Sequence, residues 1–202
     1  MDKLVRNFFE RDTIVVAKEL LGKILVHEVD GKKIAGKIVE TEAYLGIEDK
    51  AAHSYGGRRT KRVEVMYGEA GFSYVFVIYG MHFCFNVVTR EKGVPQAVLI
   101  RALEPCYGID SICHNRFKKP YEKLTKTQIK NLTNGPGKLC SALSISKSLN
   151  GEDLCGETLY IEEGNNAFEI VTSKRIGIDY AEEYKDKPWR FYIKDNANVS
   201  VK

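Results

Sequence analysis

Three polar side chains at alternate positions are the groups in this sequence best suited to chemistry. Glu40, Glu42 and Tyr44 lie within the segment 36–46, Gly-Lys-Ile-Val-Glu-Thr-Glu-Ala-Tyr-Leu-Gly. If this segment is a β-strand, the three side chains share one face, because side chains alternate across a strand. Two carboxylates then lie beside an aromatic ring, which calls for a functional reason because glutamate is depleted in strands. The alternative is two solvated glutamates on an edge strand.

A β-hairpin is predicted to position these residues. The run 24–26, Ile-Leu-Val, supplies one strand, and Asp30-Gly31 is a strong signal for the turn that leads into the next. Alternation then directs Val39, Thr41 and Ala43 into the core.

A second hairpin is predicted over 72–89, a run of strong strand formers interrupted at Gly80. Its tip, 79–82, reads Tyr-Gly-Met-His and lacks the Asn or Asp usual at an exposed turn. One interpretation is that the tip packs under another element as core. The other is that Tyr79 is a wedge, since proteins that distort a duplex push apolar or aromatic side chains between stacked bases.

Arg101 and His53 are two further polar residues whose positions fit a functional site. Arg101 interrupts the apolar strand 97–103, and a buried charge needs a partner, for which Glu40 or Glu42 is available. His53 lies in the predicted loop 45–62, which leaves the carboxylate strand and is rich in arginine. A lone histidine is more often structural than catalytic.

The remaining elements follow from capping signals and strand propensity. Three helices are predicted: one from a cap at Asp12 or Thr13 to Gly22, one over 105–117, and one that begins at Pro136 after a lysine-rich loop. Strands are predicted over 158–162, 168–175 and 189–194.

Length and composition limit the class of protein. The 202 residues suit a single domain over 1–202, and 44% hydrophobic with 29% charged residues is ordinary for a folded soluble chain. We expect a cytoplasmic or nucleoid protein without membrane contact, because no apolar run reaches about 18 residues and the start has no signal-peptide core. Five cysteines at scattered spacing argue against a disulfide framework. Cys106, Cys113 and His114 fit no zinc spacing, so no metal or cofactor is expected.

Positive charge is concentrated in two places. Between residues 115 and 150 there are eight basic side chains against one acid, although the net charge of the chain is only +4. A second cluster, Arg58-Arg59-Thr60-Lys61-Arg62, follows the carboxylate strand, and Arg175 and Arg190 are expected to add to the basic surface. Lys138, at the start of a helix, is suited to holding a backbone phosphate. These clusters favour a polyanion partner.

Five blocks of the sequence together resemble the alkyladenine (3-methyladenine) DNA glycosylase family. They occur in family order and cover most of the chain. The blocks are Glu40 to Gly46, Ala51 to Ser54, Tyr79 to Met81 with Phe83-Cys84, Arg101 to Pro105, and Gly135 to Cys140.

The resemblance implies an α+β fold, a single compact domain with a β-rich, partly open antiparallel barrel-like core, a protruding β-hairpin and peripheral helices. It also implies a monomeric enzyme that removes alkylated or deaminated purines from double-stranded DNA in base excision repair. The family's residue roles map onto Glu42 as general base, Arg101 as a holder of the attacking water, Tyr44, His53, Phe76 and Asn86 as the base pocket, and Tyr79 as the intercalating side chain.

A base stacked inside a duplex cannot be reached by a catalytic side chain. The target nucleotide must be flipped out of the duplex, and a water activated by Glu42 would hydrolyse the N-glycosidic bond and leave an abasic site. No nearby lysine suggests a Schiff base, so a monofunctional enzyme is expected, with Arg58, Arg59 and Lys138 on the DNA backbone. Phe76 departs from the family, where tyrosine is common, and stacking survives that change.

Two alternative functions are a non-catalytic binder of bent or damaged DNA and a hydrolase acting on tRNA or nucleosides.

Overall fold

A computed structural model describes residues 2–165 and 167–201, and its framework is one eight-stranded antiparallel sheet. Six strands run in the order β3-β4-β5-β2-β1-β6, while β8 pairs with β2 and β7 pairs with β8. The strands are β1 Ile24–Val29, β2 Lys32–Tyr44, β3 Ser73–Ile78, β4 His82–Thr89, β5 Gln96–Tyr107, β6 Leu159–Glu162, β7 Ile170–Ser173 and β8 Arg190–Ile193.

The helices are short and lie around the sheet. They are α1 Arg6–Phe9, α2 Thr13–Glu19, α3 Ile109–Phe117, α4 Lys126–Lys130 and α5 Pro136–Ala142, with 3-10 turns at Gly46–Glu48, Tyr55–Gly57, Glu64–Tyr67, Tyr121–Lys123, Lys147–Leu149 and Asp179–Asp186. In the described ranges no helix is both long and apolar enough to cross a bilayer. The predicted α+β fold with a β-rich, partly open antiparallel barrel-like core is confirmed.

The long strand β2 is the interior strand that carries the two carboxylates. One of its edges pairs with β1 over its first half and with β8 at residues 40–42, and the other edge pairs with β5. Glu40 and Glu42 are completely buried. The alternative of solvated glutamates on an edge strand is therefore wrong.

Two irregularities in the β2–β5 pairing set the direction of side chains near the carboxylates. Ile38 pairs with Leu103 and Glu40 with Ala102, so Val39 is an extra residue on β2. The next pair joins Thr41 to residue 100, so Arg101 is an extra residue on β5. Bulges of this kind re-aim side chains next to functional sites. Here they accompany an arginine that meets both carboxylates.

The opposite face of β2 packs into the core as predicted. Val39, Thr41 and Ala43 are fully buried, and the Thr41 hydroxyl donates to the Ala17 carbonyl of α2 at 2.7 Å. Helix α2 begins where its cap predicts, since the Asp12 carboxylate accepts bonds from the first free amides of the helix. The core thus fixes β2 from one side and leaves its carboxylate face to a separate polar network.

The hairpin of β3 and β4 ends in an exposed tip. Tyr79 and Gly80 both have positive φ, which suits the right-handed twist of a tight hairpin. The Tyr79 side chain is 88% exposed and Met81 is 73% exposed. The tip is therefore not part of the core, and the prediction of a protruding hairpin is confirmed.

Two predictions about the segment 105–135 are wrong. Residues 105–107 extend β5, and the helix predicted over 105–117 begins only at Ile109, after the left-handed Gly108. The lysine-rich span predicted as loop contains α4, whose first turn is held by a capping box between Thr125 and Gln128. Pro136 begins α5 as predicted.

Candidate active site

Glu42 is a buried carboxylate with a partner on each oxygen. Its Oε1 accepts a bond from the Ile176 amide at 2.8 Å and lies 3.3 Å from Nη1 of Arg101. Its Oε2 accepts a bond from the Tyr44 hydroxyl at 2.9 Å. Tyr44 reaches the carboxylate because residues two apart on a strand share a face. The predicted grouping of Glu42, Tyr44 and Arg101 is present.

Burial is the largest influence on the pKa of Glu42. Removal from water raises the pKa of this carboxyl above its ordinary value of 4.5, and the nearby charge of Glu40 raises it further. The guanidinium of Arg101 and the bonds from Ile176 and Tyr44 oppose the shift without cancelling it. A raised pKa makes Glu42 a stronger base than a solvated glutamate when it is ionised.

Glu40 has a different environment from Glu42. Its Oε1 accepts bonds from Nε of Arg101 at 3.1 Å, Nη1 of Arg190 at 2.9 Å and the Ser200 hydroxyl at 3.0 Å, and its Oε2 accepts from the Ser200 amide at 2.7 Å. Glu40 therefore joins β2, β5, β8 and the C-terminal segment. The expectation that Arg190 adds to the basic surface is wrong, because Arg190 is buried against Glu40.

A cavity of about 310 Å³ opens beside this network. That volume lies at the small end of the range of about 300–1,000 Å³ for ligand pockets. Glu42 does not line the cavity, but all three of its partners do, so the carboxylate lies behind its wall. Six of the predicted site residues line it, namely Tyr44, His53, Phe76, Tyr79, Asn86 and Arg101.

His53 belongs to an aromatic cluster on one wall. Its Nδ1 lies 2.8 Å from the Tyr74 hydroxyl, and its ring meets Phe76 edge-on at a centroid distance of 4.6 Å. Burial, with the positive charges of Arg62 and Arg58, lowers the pKa of His53 to about 4. The imidazole is therefore neutral at neutral pH.

Asn86 and Tyr79 come from the strands of the protruding hairpin and its turn. The Asn86 amide donates to the Tyr74 carbonyl at 2.9 Å across the β3–β4 ladder, which fixes its side chain at the wall. Tyr79 lines the cavity and is also the most exposed large apolar residue of the described chain. It therefore lies at the rim, between cavity and solvent.

The three predicted backbone-binding residues lie outside the cavity. Arg58 and Arg59 are exposed in the loop after His53, and Arg59 forms an ion pair with Glu64. Lys138 is half-buried, and its Nζ donates to the Asn131 and Asn134 side chains at 2.6 and 2.9 Å.

Several residues at the site were not predicted from the sequence. The Ile176 amide gave no signal, because backbone donors depend only on the fold. Tyr74 could have been found, since it alternates with Phe76 on β3. The Arg62 guanidinium lies 5.0 Å from the Phe76 ring centre. Arg175, expected on the basic surface, is instead buried, which corrects that prediction.

A larger cavity of about 450 Å³ lies between the β1–β2 turn and α3. Val29, Ile34 and His114 are among its lining residues, and none of the ten predicted site residues is. Volume alone therefore does not identify the site, whereas the buried carboxylate beside the smaller cavity gives it a chemical function.

Comparisons with known proteins identify relatives of this chain. The family model described as Methylpurine-DNA glycosylase matches residues 7–197. A protein of Desulfitobacterium hafniense is 68% identical over 203 residues, with 100% of each chain covered. Proteins of Clostridium acetobutylicum and Clostridium novyi are 63% and 60% identical, with 98% and 100% of each chain covered. All three carry the name "Putative 3-methyladenine DNA glycosylase".

Proposed function

The chain belongs to the methylpurine-DNA glycosylase family, whose members hydrolyse N-glycosidic bonds of damaged bases in DNA, and from this premise we propose a mechanism for its own site. The damaged purine leaves the duplex, enters the 310 Å³ cavity, and is released by a water that Glu42 activates. The observation that carries the proposal is the Glu42 carboxylate, fully buried directly behind the cavity wall.

Tyr79 is suited to replace the base that leaves the stack. A nucleotide inside a duplex is out of reach of a buried carboxylate, so it must be extruded at a cost of about a few kcal/mol. The Tyr79 ring lies on a two-stranded ribbon at the rim of the cavity and is 88% exposed. An inserted aromatic ring offsets part of the stacking lost on extrusion.

The cavity walls suit a flat, cationic base. Tyr44 and Phe76 provide aromatic surfaces, and alkylation at N3 or N7 gives the purine a positive charge that an aromatic face attracts. His53 is neutral at neutral pH because its pKa is about 4, so it does not repel such a base. Asn86 adds a polar group at the wall.

Glu42 is fully buried and does not line the cavity, so the attacking water reaches it only if the wall shifts when a base binds, and the carboxylate must also have an acceptor position left. A carboxylate has about four acceptor positions. Ile176 and Arg101 occupy Oε1 and Tyr44 occupies one position on Oε2, so among the described residues one position of Oε2 remains. The water oxygen bonds to C1′ as the C1′–N bond breaks, its proton passes to Glu42, and the bonding electron pair leaves with the purine. Arg101 lines the cavity and helps hold the water.

The reaction stops at an abasic site under this proposal. Among the described residues no lysine lines the cavity, so the site offers no amine for a Schiff base. Arg58, Arg59 and Lys138 would contact phosphates of the flanking duplex, because exposed or half-buried basic groups neutralise the DNA backbone.

Base release should depend on pH through Glu42. The pKa of this carboxyl is raised by burial, so lowering the pH protonates it sooner than a solvated glutamate and the rate falls. A cationic purine needs no added proton to leave, so we expect only this acid limb. Single-turnover release of 7-methylguanine across the acid range would measure it. A rate independent of pH there would contradict Glu42 as the base.

Changing Tyr79→Ala should weaken binding to damaged duplex by about 5- to 150-fold, since loss of one stacking contact costs about 1–3 kcal/mol. Titration of a fluorescent duplex that carries one alkylated purine would measure it. Met81→Ala is the matched control, because Met81 is exposed on the same tip but does not line the cavity. Equal losses for both variants would contradict a wedge role specific to Tyr79.

The experiment that tests the function is single-turnover release from a duplex with one 7-methylguanine, with and without alkali. Strand breaks that appear only after alkali, and that exceed the breaks alkali alone produces at 7-methylguanine without enzyme, would support a monofunctional glycosylase. Breaks without alkali would contradict it. Tight binding of damaged duplex without release of any base would instead favour a non-catalytic binder of bent or damaged DNA.

A further inference from the structure

A buried ion pair contacts the cavity-lining residue Tyr44 and takes no part in the reaction described above. Nη1 and Nη2 of Arg175 donate to the two carboxylate oxygens of Asp49 at 2.6 and 2.9 Å. Both side chains are completely inaccessible to solvent. A pair this deeply buried is screened by salt much less than a pair at the surface.

Arg175 covers the back of a cavity-lining ring. Its guanidinium carbon lies 4.7 Å from the ring centre of Tyr44 and 4.9 Å from that of Trp189. Tyr44 lines the cavity, whereas the Arg175 side chain does not line it and is inaccessible to solvent, so the guanidinium contacts the ring from within the protein. A base stacked on Tyr44 would have this arginine behind the ring.

An arginine in that place creates an electrostatic problem for a cationic base. The guanidinium is always protonated. A base stacked on the other face of Tyr44 would lie about 8 Å from it, where two unit charges still repel appreciably in a poorly screened site. Arg175 also makes a cation–π contact with the Tyr44 ring, and this contact weakens the attraction of the same ring for a cationic base.

Asp49 removes this problem. We propose that Asp49 is a specificity-determining residue that neutralises Arg175, so that Tyr44 can stack on a positively charged purine. This inference rests on the proposed function. Arg175 also donates from Nη1 to the Ala43 carbonyl at 3.0 Å and from Nη2 to the Tyr184 carbonyl at 3.2 Å. With Asp49 beside it, Arg175 can make these two bonds while the pair presents no net charge to the cavity.

A purely structural role for the pair makes a different prediction. Asp49 accepts bonds from the Leu45 and Ala51 amides, both at 3.0 Å, and Arg175 precedes Ile176, whose amide bonds Glu42. Loss of these contacts would distort the site for every base alike. Charge balance concerns cationic bases only, so the ratio of affinities for a cationic and a neutral lesion separates the two roles.

The test compares wild type with Asp49→Asn and with the double variant D49N/R175Q. The probes are duplexes that carry 7-methylguanine, kept cationic in mildly acidic buffer, or neutral 1,N6-ethenoadenine or hypoxanthine. All have 2′-fluoroarabinose at the lesion, which suppresses release. Asp49→Asn leaves an uncompensated positive charge, so affinity for the cationic lesion should fall on the order of tenfold relative to the neutral ones. The double variant is neutral again, so its ratio should return toward wild type.

The ratio is measured on one protein preparation, so partial unfolding of Asp49→Asn cancels. Equal loss for cationic and neutral lesions, or a double variant whose ratio stays shifted, would overturn the inference. Base release by wild type from ordinary 7-methylguanine duplex is measured in parallel. If wild type releases no base, the proposed function fails, whereas release with an unchanged ratio rejects only the role of Asp49.

Discussion

Replacing Glu42 with Gln is expected to lower the rate of base release by about 10²–10⁴-fold, the usual contribution of a positioned general base. Gln has the same shape and can still accept the Ile176 amide bond, but it cannot take a proton from water. The walls of the cavity are unchanged, so binding of damaged duplex should persist. Single-turnover release and duplex titration on the same variant would measure both quantities.

The stability of this variant is the control. Burial raises the pKa of Glu42, so the folded protein holds its proton more tightly than the unfolded chain. Wild type therefore loses stability relative to Glu42→Gln as pH rises from the ordinary glutamate value through the raised one. We expect the variant to unfold at no lower urea concentration than wild type at neutral pH. A collapsed structure would make its low activity uninformative, and full activity would move the general base elsewhere.

Replacing Glu40 with Gln is expected to destabilise the fold by about 3–5 kcal/mol, the usual cost of removing one partner of a buried ion pair. Glu40 is completely buried and pairs with Arg101 and Arg190; Arg101 would keep Glu42, but the buried Arg190 would be left with an uncompensated charge. Both Ser200 groups that bond Glu40 would also lose a charged acceptor. Urea unfolding followed by circular dichroism would measure the loss.

Glu42→Gln is the matched comparison for this experiment, because it removes the same charge two residues along the same strand. Glu42→Gln should lose activity but not stability, whereas Glu40→Gln should lose stability. If Glu40→Gln were as stable as wild type but inactive, Glu40 would have a direct part in the reaction.

Local sequence predicted the hairpins and the chemistry-bearing strand well. The turn at Asp30-Gly31 and the interruption at Gly80 depend on residues adjacent in the chain, so they could be located without the fold. The resemblance to a family named six residues that line one cavity, although they come from four separate segments. Their roles in catalysis stay predictions until the variants above are measured.

The errors concern charges whose surroundings come from distant segments. Arg175 and Arg190 were expected at the surface, because isolated arginines usually are. Their partners Asp49 and Glu40 lie more than a hundred residues earlier in the chain. The sequence likewise left open whether the Glu42 strand was an edge or an interior strand, and only the pairing with β5 and β8 decided it.

The sequence by itself therefore determined the strand alternation that places Glu40, Glu42 and Tyr44 on one face, and the turns that make the two hairpins, because these depend on short-range backbone geometry. Tertiary structure alone decided which of the two glutamates is fully paired and which faces a cavity wall. That distinction depends on desolvation and on Arg101, Arg190 and the Ile176 amide, which reach the strand from distant parts of the chain.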